Sequence, residues 1–373
     1  MTYFDNAATS KQKPECVYKA FEYYVREIGT SPGRGSYDLA IQASRMLYQT
    51  RKAVANFFGA HNPDNVVFTK NSTEAINFFF NGYFKKGDHV IISPFEHNAV
   101  LRPLHTLKER GIIDYTVLPE SILYDCASDI DRYINSNTAL VALTLASNLT
   151  GQIVFSKELA AKAKNSGIPV FVDASQGAGK KMINMSLDGI DYLAFTGHKD
   201  LLALPGVGGL VSNQELRIQP FLQGGTGLRG DSYVNPQTFP DSYEAGTLNM
   251  PAIWSMKTSL GFIDKNLDSI IHKESTLVQH CIAGLEKNAS AVVYRPKFSR
   301  VSTFCFNIKN APSNAVVEQL NKHGICVRGG IHCAIKAHET LGTVERGAVR
   351  VSMNFYNSME EVDDFLAVIE RLS

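Results

Sequence analysis

Val172-Asp-Ala-Ser-Gln176 and Phe195-Thr-Gly-His-Lys199 each close a short apolar run, Pro169-Val-Phe-Val172 and Asp191-Tyr-Leu-Ala-Phe195. Runs of four or five apolar residues ending in small polar turns are the pattern of strands buried on both faces, as in a parallel sheet between helices. The two turns also put Asp173 and Lys199 just past the carboxyl ends of their strands. A lysine amine there suits a Schiff base, and an acid there suits a ring nitrogen that must stay protonated. Pyridoxal phosphate asks for both. Each residue alone reads more simply, Lys199 as a surface charge after a strand and Asp173 as a helix cap.

Outward from these turns the chain alternates helix and strand. Ala40 to Phe58 has helical apolar spacing and stops at Gly59. Val66 to Phe68 reads as a strand, and Thr73 to Phe84 as a helix capped by Ser72 or Thr73. His89 to Ile92 is a strand, Asn98 to Arg110 a helix, Ala139 to Leu145 an almost wholly apolar strand, and Ser156 to Asn165 a helix. Such alternation predicts an α/β fold with a mainly parallel central sheet covered by helices. The last third changes character. Met250 to Asn288 is mostly helical. Strand Ser302 to Ile308, helix Asn314 to His323, strands Ile325 to Arg328 and Ala348 to Met353, and helix Met359 to Leu372 then make a smaller α+β module. The expected division is a large domain over residues 14–255 and a small one from residues 1–13 and 256–373, with the N-terminal segment packed on the latter.

The 373 residues carry 37 basic and 36 acidic side chains, a net charge of +1, so no basic field marks nucleic acid or an anionic membrane as the partner. No apolar run is long enough to span a bilayer, and Met1-Thr-Tyr-Phe-Asp5 lacks the basic start and apolar core of a signal peptide. A cytoplasmic location is expected. Six cysteines, at 16, 126, 281, 305, 326 and 333, form neither a CxxC nor a disulfide framework and read as reduced thiols. Five are expected to be buried small hydrophobes; Cys333 is the exception. No metal site is expected.

Several further residues carry chemistry. Ser72 and Thr73 open a helix, where free N–H groups and two hydroxyls suit a phosphate. His97, after a strand end, can stack on an aromatic ring or simply cap the following helix. Asn148, after another strand, can donate a hydrogen bond to a ring hydroxyl oxygen.

These segments together resemble the class V, fold-type I pyridoxal-phosphate enzymes of the cysteine desulfurase and selenocysteine lyase group. The resemblance runs from Phe4-Asp-Asn-Ala-Ala-Thr9 to Val351-Ser-Met-Asn-Phe-Tyr356. It is carried by Lys70-Asn-Ser-Thr-Glu-Ala-Ile-Asn77, Glu96-His97, Val172-Asp-Ala-Ser-Gln176, Thr196-Gly-His-Lys199, Tyr243-Glu-Ala-Gly-Thr-Leu-Asn249 and Arg328-Gly-Gly-Ile-His-Cys-Ala334. It implies that Lys199 forms the Schiff base and moves the Cα proton, that Asp173 pairs with the ring nitrogen, and that Gln176 approaches the phenolic oxygen. It also implies that His97 stacks on the ring, that Thr73, Thr196 and His198 hold the phosphate, and that Thr247 of a second subunit reaches that phosphate. A homodimer with active sites at its interface follows. Arg350 matches the arginine that clamps the amino-acid carboxylate, a task suited to a guanidinium fork. Cys333 matches the cysteine that takes the substrate sulfur as a persulfide. Its thiolate would be favoured by Arg328 or a protonated His332. A protein that accepts this sulfur is a further possible partner.

The short interval from Cys333 to Arg350 resembles the short-loop desulfurases. Gly33 stands where a histidine is common before Arg34, Ile331 where a second histidine precedes the cysteine, and Gln223-Gly-Gly-Thr-Gly227 resembles a separate branch. The leading expectation is an L-cysteine desulfurase. Selenocysteine lyase, another carbon–sulfur lyase, an eliminating enzyme independent of Cys333, an aminotransferase and a non-catalytic cofactor-binding protein stand as alternatives.

Overall fold

The computed structural model describes residues 1–124, 129–216, 218–228, 230–296 and 299–372. Its centre is a seven-stranded sheet. In spatial order the strands are Val66–Thr69, Gly208–Ser212, Tyr192–Thr196, Val170–Asp173, Thr138–Thr144, Asp88–Ile92 and Ile113–Val117. The last five run parallel to one another, and Gly208–Ser212 runs antiparallel to both its neighbours.

The pleat explains the continuous apolar runs. Val141 and Leu143 enter a core on one face with Val172, Leu193 and Phe195. Leu140 and Ala142 enter a second core on the other face with Phe171, Ala194, Ile76, Phe79 and Phe80. Successive side chains point to opposite faces, so a sheet covered twice needs apolar residues at every position.

Two strands give no such signal in the sequence. Ile113-Asp-Tyr-Thr-Val117 lies at the sheet edge, only partly buried, and keeps polar residues. Gly208-Gly-Leu-Val-Ser212 starts on two glycines because the backbone is crowded there: a Cβ on Gly208 would lie 2.6 Å from the Phe195 carbonyl oxygen and 2.7 Å from the Asn71 backbone. The expected strand from Ile325 to Arg328 is divided. Ile325–Cys326 pairs with Thr2–Tyr3, while Arg328–Gly330 joins a four-stranded sheet with Ala348–Ser352, Thr303–Ile308 and Ala291–Tyr294.

Met250–Lys287 is a single helix of 38 residues, about 57 Å long. Met256, Leu260, Ile263 and Ile270 pack in the core of the large sheet. Leu277, Val278, Cys281, Ile282 and Leu285 pack in a separate core with Phe304, Phe306 and Phe365. The residue-255 boundary expected from sequence therefore lies inside the helix, and the change of core falls between Ile270 and Leu277. Phe4 is fully buried in the second core, edge-on to Phe365, so the N-terminal segment packs on the C-terminal module.

Cys281 and Cys305 are buried, and burial pushes both thiols well above their usual range. Cys326 is partly buried. Cys16 is exposed on the helix Glu15–Tyr23, against expectation, because its position faces away from the buried stripe of Val17 and Ala20. Cys126 lies outside the described residues.

Candidate active site

Parallel strands bring their carboxyl ends to one edge of the sheet, where the following turns can share a cavity. Here Thr69, Ile92, Thr144, Asp173 and Thr196 end five such strands. The turns after them enclose a cavity of about 170 Å³. Ser72, Thr73, His97, Asn148, Asp173, Gln176, Thr196, His198 and Lys199 all line it. The sequence expectations for these residues thus meet in one place.

Lys199 is half-buried, with its side chain at the cavity wall. Burial lowers its pKa, and Arg350 and Arg328 push it the same way, against the opposing pull of Asp173 and Asp200. A desolvated lysine next to other cations is more often the free amine that a carbonyl requires. Asp173 is buried, and burial raises its pKa, opposed by Ser175 and Lys199. The Ser175 N–H donates to Asp173 Oδ1 at 3.0 Å and the Ser175 hydroxyl donates to the same oxygen. Oδ2 is left for a cationic partner, which would compensate a carboxylate that burial disfavours.

The helix Ser72–Tyr83 starts at the cavity wall. Its cap is Asn71, one residue earlier than expected: Asn71 Oδ1 accepts from the Glu74 N–H at 2.9 Å, and Glu74 Oε2 accepts from the Lys70 N–H at 2.6 Å. With the cap supplied, the Ser72 hydroxyl is free to meet Ser175 Oγ at 2.6 Å. The buried Thr196 Oγ1 has no partner among the described residues, as a group that receives an oxyanion would. Gln176 donates from Nε2 to the Ala7 carbonyl at 2.8 Å and its buried Oε1 is unpartnered.

His97 caps the following helix, the simpler of the two readings from sequence, and its ring also reaches the cavity. Its Nδ1 accepts from the Ala99 N–H at 3.0 Å, capping the helix Asn98–Glu109, and its ring lines the cavity. Burial, with Lys199 nearby, holds its pKa down at about 3, so the ring is neutral and fit to stack. His198 is likewise held at about 4, first by burial. Beneath them Glu96 is fully buried, accepts from Ser93 Oγ at 2.5 Å and the Thr144 N–H at 2.8 Å, and is raised by burial to about 8. Burial thus favours its neutral form, a property its residue type does not announce.

Arg350, Arg328, Cys333 and Thr247 do not line this cavity. Arg350 is buried next to it. Its Nη1 donates to the Asn148 carbonyl at 3.1 Å, its Nη2 meets Asp5 Oδ1 at 2.5 Å, and its Nε is unpartnered. The Asp5 partner, 345 positions away in the chain, has no local sequence signal. Asn148 departs from its expected use: Nδ2 donates to the His332 carbonyl at 2.7 Å, leaving Oδ1 unpartnered in the core. One amide hydrogen thus ties down the cysteine segment, while the side chain lines the cavity.

Cys333 lines a neighbouring cleft of about 550 Å³ with Thr73, His97, Asn98, Arg102 and Arg110. Thr73 and His97 border both spaces. His332 and Cys333 are both left-handed, at φ 54° and 55°, a conformation costing non-glycine residues roughly 1–3 kcal/mol each. Two bonds hold it, Asn148 to the His332 carbonyl and the Asn98 N–H to the Cys333 carbonyl at 2.8 Å. His332 is not the cation expected. Burial, and next Arg350, press it down to about 3, and its Nε2 donates to the Arg328 carbonyl at 3.1 Å. The exposed Arg328 is left as the candidate charge on this segment. Thr247 is exposed and lines a larger cavity of about 600 Å³ that shares only Asn71 and His198 with the first.

The aminotransferase class-V family model matches residues 2–365, and the chain belongs to that family. Within it, the similar proteins are cysteine desulfurases. A probable cysteine desulfurase of Methanothermobacter thermautotrophicus is 32% identical over 99% of this chain and 94% of its own length. A cysteine desulfurase of Yersinia pseudotuberculosis is 28% identical over 100% and 93%. Among solved structures, the apo cysteine desulfurase of Thermococcus onnurineus superposes with a TM-score of 0.91 at 32% identity, covering 100% of this chain and 94% of that one. The cysteine desulfurase CsdA of Escherichia coli gives 0.87 at 26%, covering 99% and 94%.

Proposed function

We propose that this chain is a pyridoxal-phosphate-dependent cysteine desulfurase that converts L-cysteine to L-alanine and retains the sulfur on Cys333. The observation that carries the reading is the shared wall: His97 and Thr73 border both the cavity of Lys199 and Asp173 and the cleft of Cys333.

The residues present fit the cofactor. Lys199 would hold its aldehyde carbon, Asp173 its ring nitrogen, and His97 its ring face. Thr73, Thr196, His198 and the helix N-terminus would hold its phosphate. Bound there, the group supplies an electron sink for the substrate's Cα. The Lys199 amine would be placed to move the Cα proton, and Arg350 would receive the substrate carboxylate. The Cys333 thiolate then attacks the substrate sulfur. The Cβ–S bond breaks with its electron pair left on Cβ, Cβ takes up a proton, and alanine and a Cys333 persulfide result. The cleft before Cys333, lined by Arg102 and Arg110 with no carboxylate among its described lining residues, is the proposed approach for a sulfur acceptor.

We further propose a homodimer in which the exposed Thr247 serves the neighbouring site, and two domains joined along the helix Met250–Lys287. No helix of the described residues is long and apolar enough to cross a membrane. A second reading, elimination to pyruvate without Cys333, is favoured by one fact alone, that Cys333 faces the neighbouring cleft.

Reduction of the cofactor-loaded protein with borohydride, followed by peptide mass spectrometry, tests the cofactor assignment. The pyridoxyl label is expected on Lys199 alone. A label on another lysine, or none, contradicts it.

A further inference from the structure

Behind the cofactor cavity lies a buried charged network that the proposed reaction does not use. Lys180 Nζ is 2.9 Å from Asp200 Oδ1 and 3.2 Å from Glu274 Oε2, and all three side chains are about 95% buried or more. The ammonium also donates to the Met353 carbonyl at 3.0 Å and to the Ser302 hydroxyl. Ser302 Oγ in turn lies 2.6 Å from Glu274 Oε2. Asp200 Oδ2 accepts from the Gly177 N–H at 3.1 Å.

The partners' places in the chain give the network its meaning. Asp200 directly follows Lys199, and Gly177 directly follows Gln176. Met353 lies three residues beyond Arg350 and just past the strand Ala348–Ser352 that carries it. Ser302 immediately precedes the strand Thr303–Ile308, whose Cys305 pairs with Arg350. The close approach is built in at Gly179, where φ is +92° and a Cβ would lie 2.5 Å from the Asp200 carbonyl oxygen. One ammonium therefore touches the turn of Lys199 and the segment of Arg350, and its partner Asp200 reaches on to the turn of Gln176. Apolar side chains of similar volume would hold these segments together without the cost of desolvating three ionisable groups. Directional contacts at fixed distances supply what apolar packing does not, a single register between the segments.

We propose that Lys180, bridging Asp200 and Glu274, is a positioning residue that sets the spacing between the Lys199 amine and the Arg350 guanidinium. The proposal rests on the reading that these two groups receive the cofactor and the substrate carboxylate. Substrate bound at Arg350 must present its Cα within reach of Lys199, so a drift between the two segments weakens substrate binding while cofactor binding persists.

The test compares the cofactor-loaded wild-type protein with Lys180→Met and Asp200→Asn. The latter keeps the side-chain volume and the bond from Gly177, so it carries the comparison if Lys180→Met does not fold. Three quantities are read: KM for L-cysteine, the pH midpoint of the cofactor's long-wavelength band, and the melting temperature of the loaded protein. Both variants are expected to bind cofactor and to raise KM about tenfold or more. Asp200→Asn is also expected to move the band's midpoint to lower pH, because the carboxylate that favours a charged Lys199 nitrogen is gone. Lys180→Arg, which keeps the charge, is expected to restore most of the KM. A lowered melting temperature with KM and midpoint unchanged would reduce the network to a structural clamp and overturn the proposal. Failure of the wild type to show a Lys199-linked band or to turn over cysteine would instead sink the underlying reading, separately from any effect of the variants.

Discussion

Lys199, Asp173 and Arg350 make separable demands on the site. Lys199→Ala removes the amine proposed to hold the cofactor aldehyde, so we expect loss of the long-wavelength absorbance and of turnover; a surviving band in that variant contradicts the assignment. Asp173→Asn removes the charge that keeps a ring nitrogen protonated. We expect kcat to fall roughly ten- to a hundredfold, the scale of one lost charge-assisted hydrogen bond; near-normal kcat rejects the pairing. Arg350→Ala is expected to raise KM for L-cysteine by a similar factor while the cofactor still binds, and an unchanged KM argues against the clamp. Residue type and place were enough to single out Lys199, Asp173 and His97 as candidates, and the fold brings all three to one cavity because each lies just past a strand end. Asp5, Ser175 and Glu96 were illegible for the opposite reason. Their meaning comes from partners distant in the chain or, for Glu96, from burial that turns an acid neutral. His332 misled because a histidine beside a cysteine reads as a cation until its burial is known.

Among the elements, the strands buried on both faces were the plainest in the sequence, since the pleat demands apolar residues throughout. The Gly208–Ser212 strand was hidden because its glycines answer to crowding by Asn71 and Phe195 instead of to periodicity. That crowding has a consequence. Gly208→Ala pushes on the residue that caps the phosphate-side helix, so we expect a loss of roughly 1–3 kcal/mol in stability together with weaker cofactor affinity. A denaturation curve and a cofactor titration check both, and a neutral variant would show that the Asn71 turn yields freely. The Gly329–Cys333 segment was legible as glycine-rich, but its two left-handed non-glycine residues were not, because the Asn148 and Asn98 contacts that hold them come from distant parts of the chain.

At the scale of the whole molecule the α/β order and the C-terminal α+β module follow from the sequence pattern. The long helix that serves both cores does not, since nothing in its spacing marks where one core hands over to the other. Folding also sets a dependence on pH. Five histidines, His89, His97, His198, His332 and His338, have folded-state pKa values below the ordinary 6.5, each chiefly through burial. Below pH 6.5 the unfolded chain takes up protons that the folded chain refuses, so stability falls as pH falls. Three buried carboxyls, Glu96, Asp173 and Glu274, are raised and act in the opposite sense, but they are fewer. We expect the melting temperature of the cofactor-free protein to drop steadily from pH 6.5 to 4.5; a flat or rising profile contradicts the neutral, buried histidines. Sulfur transfer through Cys333 is decided by product analysis. Cofactor-loaded protein and its Cys333→Ala variant are each incubated with L-cysteine and a reductant. Alanine and sulfide in equal amounts from the native chain, both lost in the variant, is the predicted result; pyruvate and ammonia, or a variant as active as the native chain, would contradict it.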